Sequence, residues 1–245
     1  MTYRTVEKRV ALITGASRGL GATLAGFLAS QDRNLVLTAR ATDALAETAR
    51  AVERFGTRVT AIPGDVSDPA HRRRLIEAAW DLGGLDLLVN NASDLGPTPL
   101  PQLAETPPAA FERVLAVNLI APLALVQDAQ QLLERSRGMV INVSSDAATG
   151  GYPGWGVYGA SKAALDLVTL TLANELKDRG IAVVSVDPGD MRTRMHQDAF
   201  PGEDISDRPL PDVTLPFWAW LLGQERARVS GQRFRARADR WEVAA

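Results

Sequence analysis

Val10-Ala11-Leu12-Ile13-Thr14-Gly15-Ala16-Ser17-Arg18-Gly19-Leu20-Gly21 is the stretch from which the fold can be read. The apolar run Val10–Thr14 has the length and composition of a buried strand, and helical periodicity starts at Leu20. Three glycines lie at the junction. A strand-to-helix turn needs glycine where the backbone must approach a pyrophosphate, whose charge is then met by free N–H groups and the dipole at the helix N-terminus. An ordinary tight turn is the alternative, but a junction of this kind in a parallel sheet favours the phosphate. The spacing is GxxxGxG and no Gly-Lys-Ser/Thr follows, which excludes a P-loop phosphotransferase.

Outward from this turn, short Val/Ile/Leu-rich runs alternate with longer stretches of helical period, the pattern of βαβ units around a parallel sheet buried on both faces. Strands are expected at Val10–Thr14, Asn34–Ala39, Arg58–Pro63, Leu85–Asn90, Met139–Val143, Ala182–Val186 and Gln232–Arg235. Helices are expected at Leu20–Gln31, Asp43–Phe55, Pro69–Leu82, Pro107–Arg135, Val157–Arg179 and Thr214–Leu222. Asp68-Pro69 and Thr106-Pro107 each put a capping side chain before a first-turn proline, while Gly56, Gly83 and Gly180 mark stops. The fold class is therefore α/β: a Rossmann-like, doubly wound, seven-stranded parallel sheet with helices on both faces, in three layers. Residues 1–245 read as one nucleotide-binding domain, since open α/β sheets often reach about 250 residues as a unit. Gly189–Pro211 has no clean period, and with its exit to residue 214 it reads as a substrate loop or lid.

Composition narrows the function. The 245 residues are 46% hydrophobic and 23% charged, a globular profile. With no Cys and only two His, His71 and His196, thiolate chemistry and sulfur-ligated metals are excluded and a transition-metal site is not expected. A formal charge of −2 gives no field toward nucleic acid or anionic membrane. No run approaching 18 apolar residues is apparent, so no membrane span is expected. Met1–Arg9 shows no apolar signal core, and a cytoplasmic location is the default expectation.

The second chemical signal is Tyr158-Gly159-Ala160-Ser161-Lys162, where phenol and ammonium, four residues apart, share a helix face. A free tyrosine, with a pKa of about 10, is a poor acid or base at neutral pH unless a fixed cation favours its phenolate. Lys162 can supply that charge. A solvated Tyr/Lys pair is the bland alternative, yet only three of the 27 basic residues are Lys (Lys8, Lys162 and Lys177), so lysine here points to something arginine does not do. Ser145 follows the fifth expected strand, at the carboxyl edge of the sheet where ligands bind.

Taken together, these residues resemble the short-chain dehydrogenase/reductase family, in its single-domain branch, over nearly the whole chain. Its landmarks fall in order: Thr14–Gly21, Gly64-Asp65-Val66, Asn90-Asn91-Ala92, Asn118, Ser144-Ser145, Tyr158 with Lys162, and Pro188-Gly189 followed by Thr193. The resemblance implies that Tyr158 is the acid/base and also touches the cofactor, that Ser145 steadies the substrate oxygen, and that Lys162 lowers the Tyr158 pKa and holds the nicotinamide ribose. Asn118 would anchor a water relay to that lysine. Gly15, Ser17, Arg18, Gly19 and Leu20 would meet the pyrophosphate, Asp65 and Val66 the adenine, Asn91 and Ala92 the ribose side, and Pro188, Gly189 and Thr193 the nicotinamide end. Two departures stand out. Ser93 sits where the family usually has glycine, and Asp146 follows Ser145 where an apolar residue is commoner; Asp146 is expected to point to solvent.

An NAD-selective site usually has an acid at the end of the second strand, whereas this strand ends Thr38-Ala39-Arg40. Arg18 and Arg40 could clamp a 2′-phosphate, so the expected cofactor is NADP(H). The expected reaction is hydride transfer between nicotinamide and a carbonyl or secondary alcohol, with reduction favoured. Tyr152, Trp155, Met191, Met195, His196 and Phe200 suggest a mostly apolar pocket for a ring-bearing or hydrophobic small molecule, with Ser145, Tyr152 and Tyr158 touching it. A non-catalytic NADP(H) sensor is the competing reading, although a sensor has no need of the Tyr/Lys pair. A sugar epimerase of the extended branch lacks the residues for its C-terminal domain here, and a serine hydrolase lacks its GxSxG elbow. Extra apolar residues on the two longest helices (Leu115, Leu119, Leu123 and Val126; Leu165, Leu167, Val168, Leu170 and Leu172) point to a homodimer or homotetramer.

Overall fold

The computed structural model describes residues 9–243, so all but Arg9 of the Met1–Arg9 stretch lies outside the described residues. Seven parallel strands, β1 (Val10–Thr14), β2 (Asn34–Ala39), β3 (Val59–Pro63), β4 (Leu87–Asn90), β5 (Met139–Val143), β6 (Ala182–Asp187) and β7 (Arg233–Arg235), form one sheet in the order 3-2-1-4-5-6-7. Helices α1 (Gly19–Ser30), α2 (Thr42–Glu53), α3 (Pro69–Asp81), α4 (Pro108–Leu115), α5 (Ala121–Ser136), α6 (Ala147–Gly150), α7 (Gly156–Glu175), α8 (Arg194–Ala199), α9 (Leu215–Gly223) and α10 (Arg226–Val229) complete the chain. Alternation along each strand divides the core. Ala11 and Ile13 of β1 join Leu24 and Leu28 of α1 and Phe217 of α9 on one face, whereas Val10 and Leu12 join Leu75 of α3, Leu133 of α5 and Ala173 of α7 on the other. The strand order reverses between β1 and β4, and that crevice is where ligands bind in open α/β sheets.

Helix α3 begins as expected, with Asp68 accepting from the Ala70 N–H at 2.8 Å ahead of Pro69. The parallel expectation for Thr106 fails. Its hydroxyl donates back to the Gln102 carbonyl, and α4 begins after Pro107 with no side-chain cap. Nor is Pro107–Arg135 one regular helix: a π turn, Ala116–Ile120, separates α4 from α5. Pro122 explains the break, because it has no N–H to offer the Asn118 carbonyl four residues earlier and its ring crowds that carbonyl. Proline thus leaves Asn118 in widened backbone. The irregular 189–214 segment, expected as a loop, contains the short helix α8 and a 3-10 turn at Pro211–Thr214.

Contrary to the expectation that no span-like run exists, the continuous helical stretch Pro108–Ser136 is long and apolar enough to cross a membrane by composition, its most apolar 18 residues reaching a mean hydropathy of 1.7. Packing inside the fold takes up part of that apolarity, with 39% of those 18 residues buried. Leu125, Val126, Ala129, Leu132 and Leu133 lie buried against the sheet and its neighbouring helices.

Candidate active site

Gly15, at φ +67°, turns the chain out of β1, and Gly21 lets α1 pack onto that turn: a Cβ on Gly21 would stand 2.3 Å from the Gly15 carbonyl oxygen. Thr14 and Asn91 brace the turn. The Thr14 hydroxyl accepts from the Asn91 and Ala92 N–H groups at 3.0 Å each, and Asn91 Nδ2 donates to the Thr14 and Gly15 carbonyls. Asn91 therefore borders the cleft with its amide committed to the backbone. At the start of α1 there is no side-chain cap and no acidic residue, unlike the Asp68-capped α3. That cationic helix end opens into a cleft of about 780 Å³ running along the carboxyl edge of the sheet.

Every residue expected at a site borders this cleft except Asn118: Gly15, Ser17, Arg18, Gly19, Leu20, Arg40, Asp65, Val66, Asn91, Ala92, Ser145, Tyr152, Tyr158, Lys162, Pro188, Gly189 and Thr193. Asn118 is fully buried behind it. Its Nδ2 donates to the Ser161 hydroxyl and the Asp94 carbonyl, both at 2.9 Å, and its Oδ1 accepts from Asp94 N–H at 2.7 Å and Ser93 Oγ at 3.2 Å. It ties the loop after β4 to α7. Thr193 caps α8 by accepting from His196 N–H, and its methyl closes on Gly19.

Tyr158 and Lys162 both lie on α7, buried. Lys162 Nζ donates to the Val143 carbonyl at 2.7 Å and sits 5.5 Å from the Tyr158 ring centroid. Burial pushes the Tyr158 phenol up to about 12, with the Ser93 and Ser145 hydroxyls pulling the other way and the Asp187 and Asp146 carboxylates adding to the rise. The net direction is opposite to the lowering expected from Lys162, because removing the phenolate from water outweighs the polar contacts. Burial also lowers Lys162 to about 8, against the pull of Asp166. At neutral pH the pair is phenol and ammonium, suited to giving a proton. Since the lysine pKa is lowered, its charge is present below pH 8 and lost above it. In a profile of kcat/KM for carbonyl reduction, we expect a plateau up to about pH 8 and then a fall of about tenfold per unit; a decline beginning only above pH 10 would contradict this.

Ser145 stands just beyond β5. Its hydroxyl donates to Asp146 Oδ1 at 3.0 Å and accepts from Ala147 N–H at 3.2 Å. Asp146 is exposed, but its carboxylate also holds the Tyr152 hydroxyl, raising that phenol's pKa, so it faces the centre instead of only solvent. Tyr152 lies across Gly150, where a Cβ would be 2.3 Å from its ring. Trp155 packs edge-on to Tyr158 at 5.6 Å and continues through Phe200 to His196, forming an aromatic wall. His196 Nδ1 is 3.8 Å from Asp190.

Several contributors escape a reading of the sequence. Arg233 of β7 donates to the Ser145 carbonyl at 2.8 Å and pairs with Asp166 of α7 and Asp187 of β6, so it fixes the serine loop from a distant strand. Arg113 of α4 reaches Asp65 at 3.3 Å and Asp94 at 3.7 Å, adding a cation beside the expected adenine end. Burial would raise Asp65, yet the Ser67 hydrogen bonds together with Arg113 and Arg40 hold it below its usual range. Arg113 and Arg233 carry no local motif, and only the tertiary fold brings them here.

An open parallel sheet with a glycine turn at its switch point and a Ser–Tyr–Lys cluster on the same edge defines a nucleotide-binding α/β oxidoreductase. The chain belongs to the short chain dehydrogenase family, whose model matches residues 9–204. It is 36% identical to the L-xylo-3-hexulose reductase of Hypocrea jecorina, over 93% of this chain and 81% of that one. It is 32% identical to 3beta-hydroxysteroid dehydrogenase 1 of Eggerthella lenta, over 94% and 92%. Among solved structures, a Shigella flexneri 2a protein complexed with NADP superposes with a TM-score of 0.85 at 29% identity, covering 94% of this chain and 97% of that one.

Proposed function

We propose that this oxidoreductase uses NADP(H) and works chiefly as a reductase of a ketone carried on a ring or other largely apolar body. The observation that carries the reading is the buried Tyr158/Lys162 pair beside Ser145 in the cleft. The cofactor fits the residues present: the uncapped N-terminus of α1 suits a pyrophosphate, and Arg18 and Arg40 border the same cleft where a 2′-phosphate would lie. When bound, the nicotinamide supplies the hydride. Gly15, Ser17, Arg18, Gly19 and Leu20 would hold the phosphates, Asp65 and Val66 the adenine, and Pro188, Gly189 and Thr193 the nicotinamide end.

Ser145 turns its hydroxyl hydrogen from Asp146 to the substrate oxygen and steadies the charge growing there. Tyr158, held as a phenol, donates its proton to that oxygen. Lys162 keeps a positive charge beneath the tyrosine, and the aromatic wall of Trp155 and Phe200 excludes water from the reacting atoms. The named relatives, a hexulose reductase and a hydroxysteroid dehydrogenase, span polar and apolar substrates, and the rings here favour the latter. Following NADPH absorbance against a panel of cyclic, aromatic and polyhydroxylated ketones tests the reading. Turnover of the cyclic or aromatic ketones is expected; tight NADPH binding with no turnover of any panel member would favour a sensor.

Assembly is part of the same proposal. Val126 and Leu165, expected as surface residues, are buried inside the fold, but Ile120, Leu167 and Leu170 are 53%, 66% and 47% exposed along the π turn and α7. A second copy of this chain covering them would build a helical interface around α5 and α7. Sedimentation at micromolar concentration should give at least twice the 26.3 kDa chain mass, and a monomer would refute the assembly.

A further inference from the structure

Ser93 occupies a place the sequence marks as unusual. It lies in the loop after β4 and borders the same cleft as Tyr158 and Ser145. Its hydroxyl donates to Asn118 Oδ1 at 3.2 Å, while the Asp94 N–H reaches that same oxygen at 2.7 Å. Asn118 Nδ2 holds the loop through the Asp94 carbonyl and holds α7 through Ser161, so Ser93 is fixed relative to the helix that carries Tyr158. Turning the Ser93 hydrogen away leaves Asn118 Oδ1 still satisfied by Asp94. The rotation therefore orphans no buried acceptor.

A tyrosine oxygen that gives up its proton gains from a further donor. Ser145 has one hydrogen, now on Asp146 and required by the substrate oxygen. Lys162 Nζ donates one of its three hydrogens to the Val143 carbonyl. We propose that Ser93 is a second catalytic hydroxyl at Tyr158, whose O–H turns from Asn118 to the tyrosine oxygen as that oxygen gives up its proton and becomes anionic. The inference rests on the reading of Tyr158 as the acid/base. A hydrogen bond to the charged form stabilises it more than one to the neutral form. The other charged groups facing Tyr158 are Lys162 on its own helix, Asp146 after β5 and Asp187 at the end of β6. Ser93 and Ser145 both draw the phenol toward ionisation against its burial.

The chain has three tyrosines, so the Tyr158 phenolate can be titrated by ultraviolet absorbance in the NADP complex, with Tyr158→Phe as the blank. Ser93→Ala and Ser93→Gly should both move its midpoint upward by about half to one pH unit, about three- to tenfold less phenolate at a given pH. Ser93→Thr, which keeps the hydroxyl, should restore the original midpoint, and the pH profile of alcohol oxidation should follow the same order. An unchanged midpoint in Ser93→Ala, or a Ser93→Thr midpoint equal to that of Ser93→Ala, overturns the proposal. Because the titration needs no turnover, a Ser93-dependent midpoint in a protein that reduces no carbonyl would support the hydroxyl assignment while refuting the oxidoreductase reading.

Discussion

Tyr158→Phe should lower the rate of carbonyl reduction by about 10²- to 10⁴-fold, the range expected when a positioned proton donor is removed. The ring remains, so its edge-on contact with Trp155 and its packing above Lys162 persist. Little stability should be lost, because the neighbouring hydroxyls keep other partners: Ser93 holds Asn118, and Ser145 holds Asp146. NADPH affinity should change by less than about threefold, since the phosphate and adenine contacts lie elsewhere in the cleft. Steady-state kinetics combined with a fluorescence titration of NADPH reads both quantities. A variant with more than a tenth of the original turnover would remove Tyr158 from the mechanism. Lys162→Arg should be nearly as impaired despite retaining the charge, because Nζ occupies a buried position fixed on the Val143 carbonyl that a planar guanidinium cannot reproduce.

The second large effect concerns cofactor choice. Arg18 and Arg40 are exposed at the mouth of the cleft, and Ala39, where a carboxylate would serve NAD, is the last residue of β2. Each charge-assisted contact to a 2′-phosphate is worth about 1.5–3 kcal/mol gross, reduced by solvent screening at these exposed side chains. NADPH should therefore bind about ten- to a hundredfold more tightly than NADH. Arg40 is already drawn toward the half-buried Asp94 at 3.8 Å, a long pair on an exposed arginine that a phosphate can displace. Combining Ala39→Asp with Arg40→Ala should reverse the preference by removing one cation and placing an acceptor for the ribose hydroxyls. Dissociation constants measured by calorimetry for both cofactors decide it. Equal affinities in the unmodified protein would refute the arginine clamp.

Local patterns foretold what depends on local patterns. The bounds of β1, β2 and β5 match the apolar runs, and α3 starts at its Asp-Pro signal. The glycine turn and the Tyr/Lys spacing were readable because each is a contiguous segment whose geometry follows from its own backbone. What escaped the sequence depends on tertiary packing or on competing local bonds. Thr106 prefers the Gln102 carbonyl to a cap, and Pro122 converts an apparently unbroken helical period into a π turn. Arg233 reaches Ser145 across 88 positions of sequence, which no spacing rule anticipates. The net acidity of Tyr158 is hidden for the same reason: a helix face shows the neighbouring lysine but not the degree of burial, which pushes the phenol up. Ser93 is visible in the sequence only as a departure from a family pattern, and its bond to Asn118 appears only once the loop after β4 is packed against the π turn and α7.

The central claim is that the cleft brings a nicotinamide and a carbonyl together so that Tyr158 can protonate the reduced oxygen. Supplying NADPH deuterated at C4 with a ketone from the panel, and analysing the alcohol by mass spectrometry and NMR, tests that claim directly. With both C4 positions deuterated, one deuterium is expected on the carbinol carbon, delivered to a single face by the unmodified protein, and Tyr158→Phe should form the same labelled alcohol in an amount reduced in proportion to its rate. Alcohol formed without deuterium at that carbon, or a saturated NADPH complex that labels none of the ketones, would contradict it.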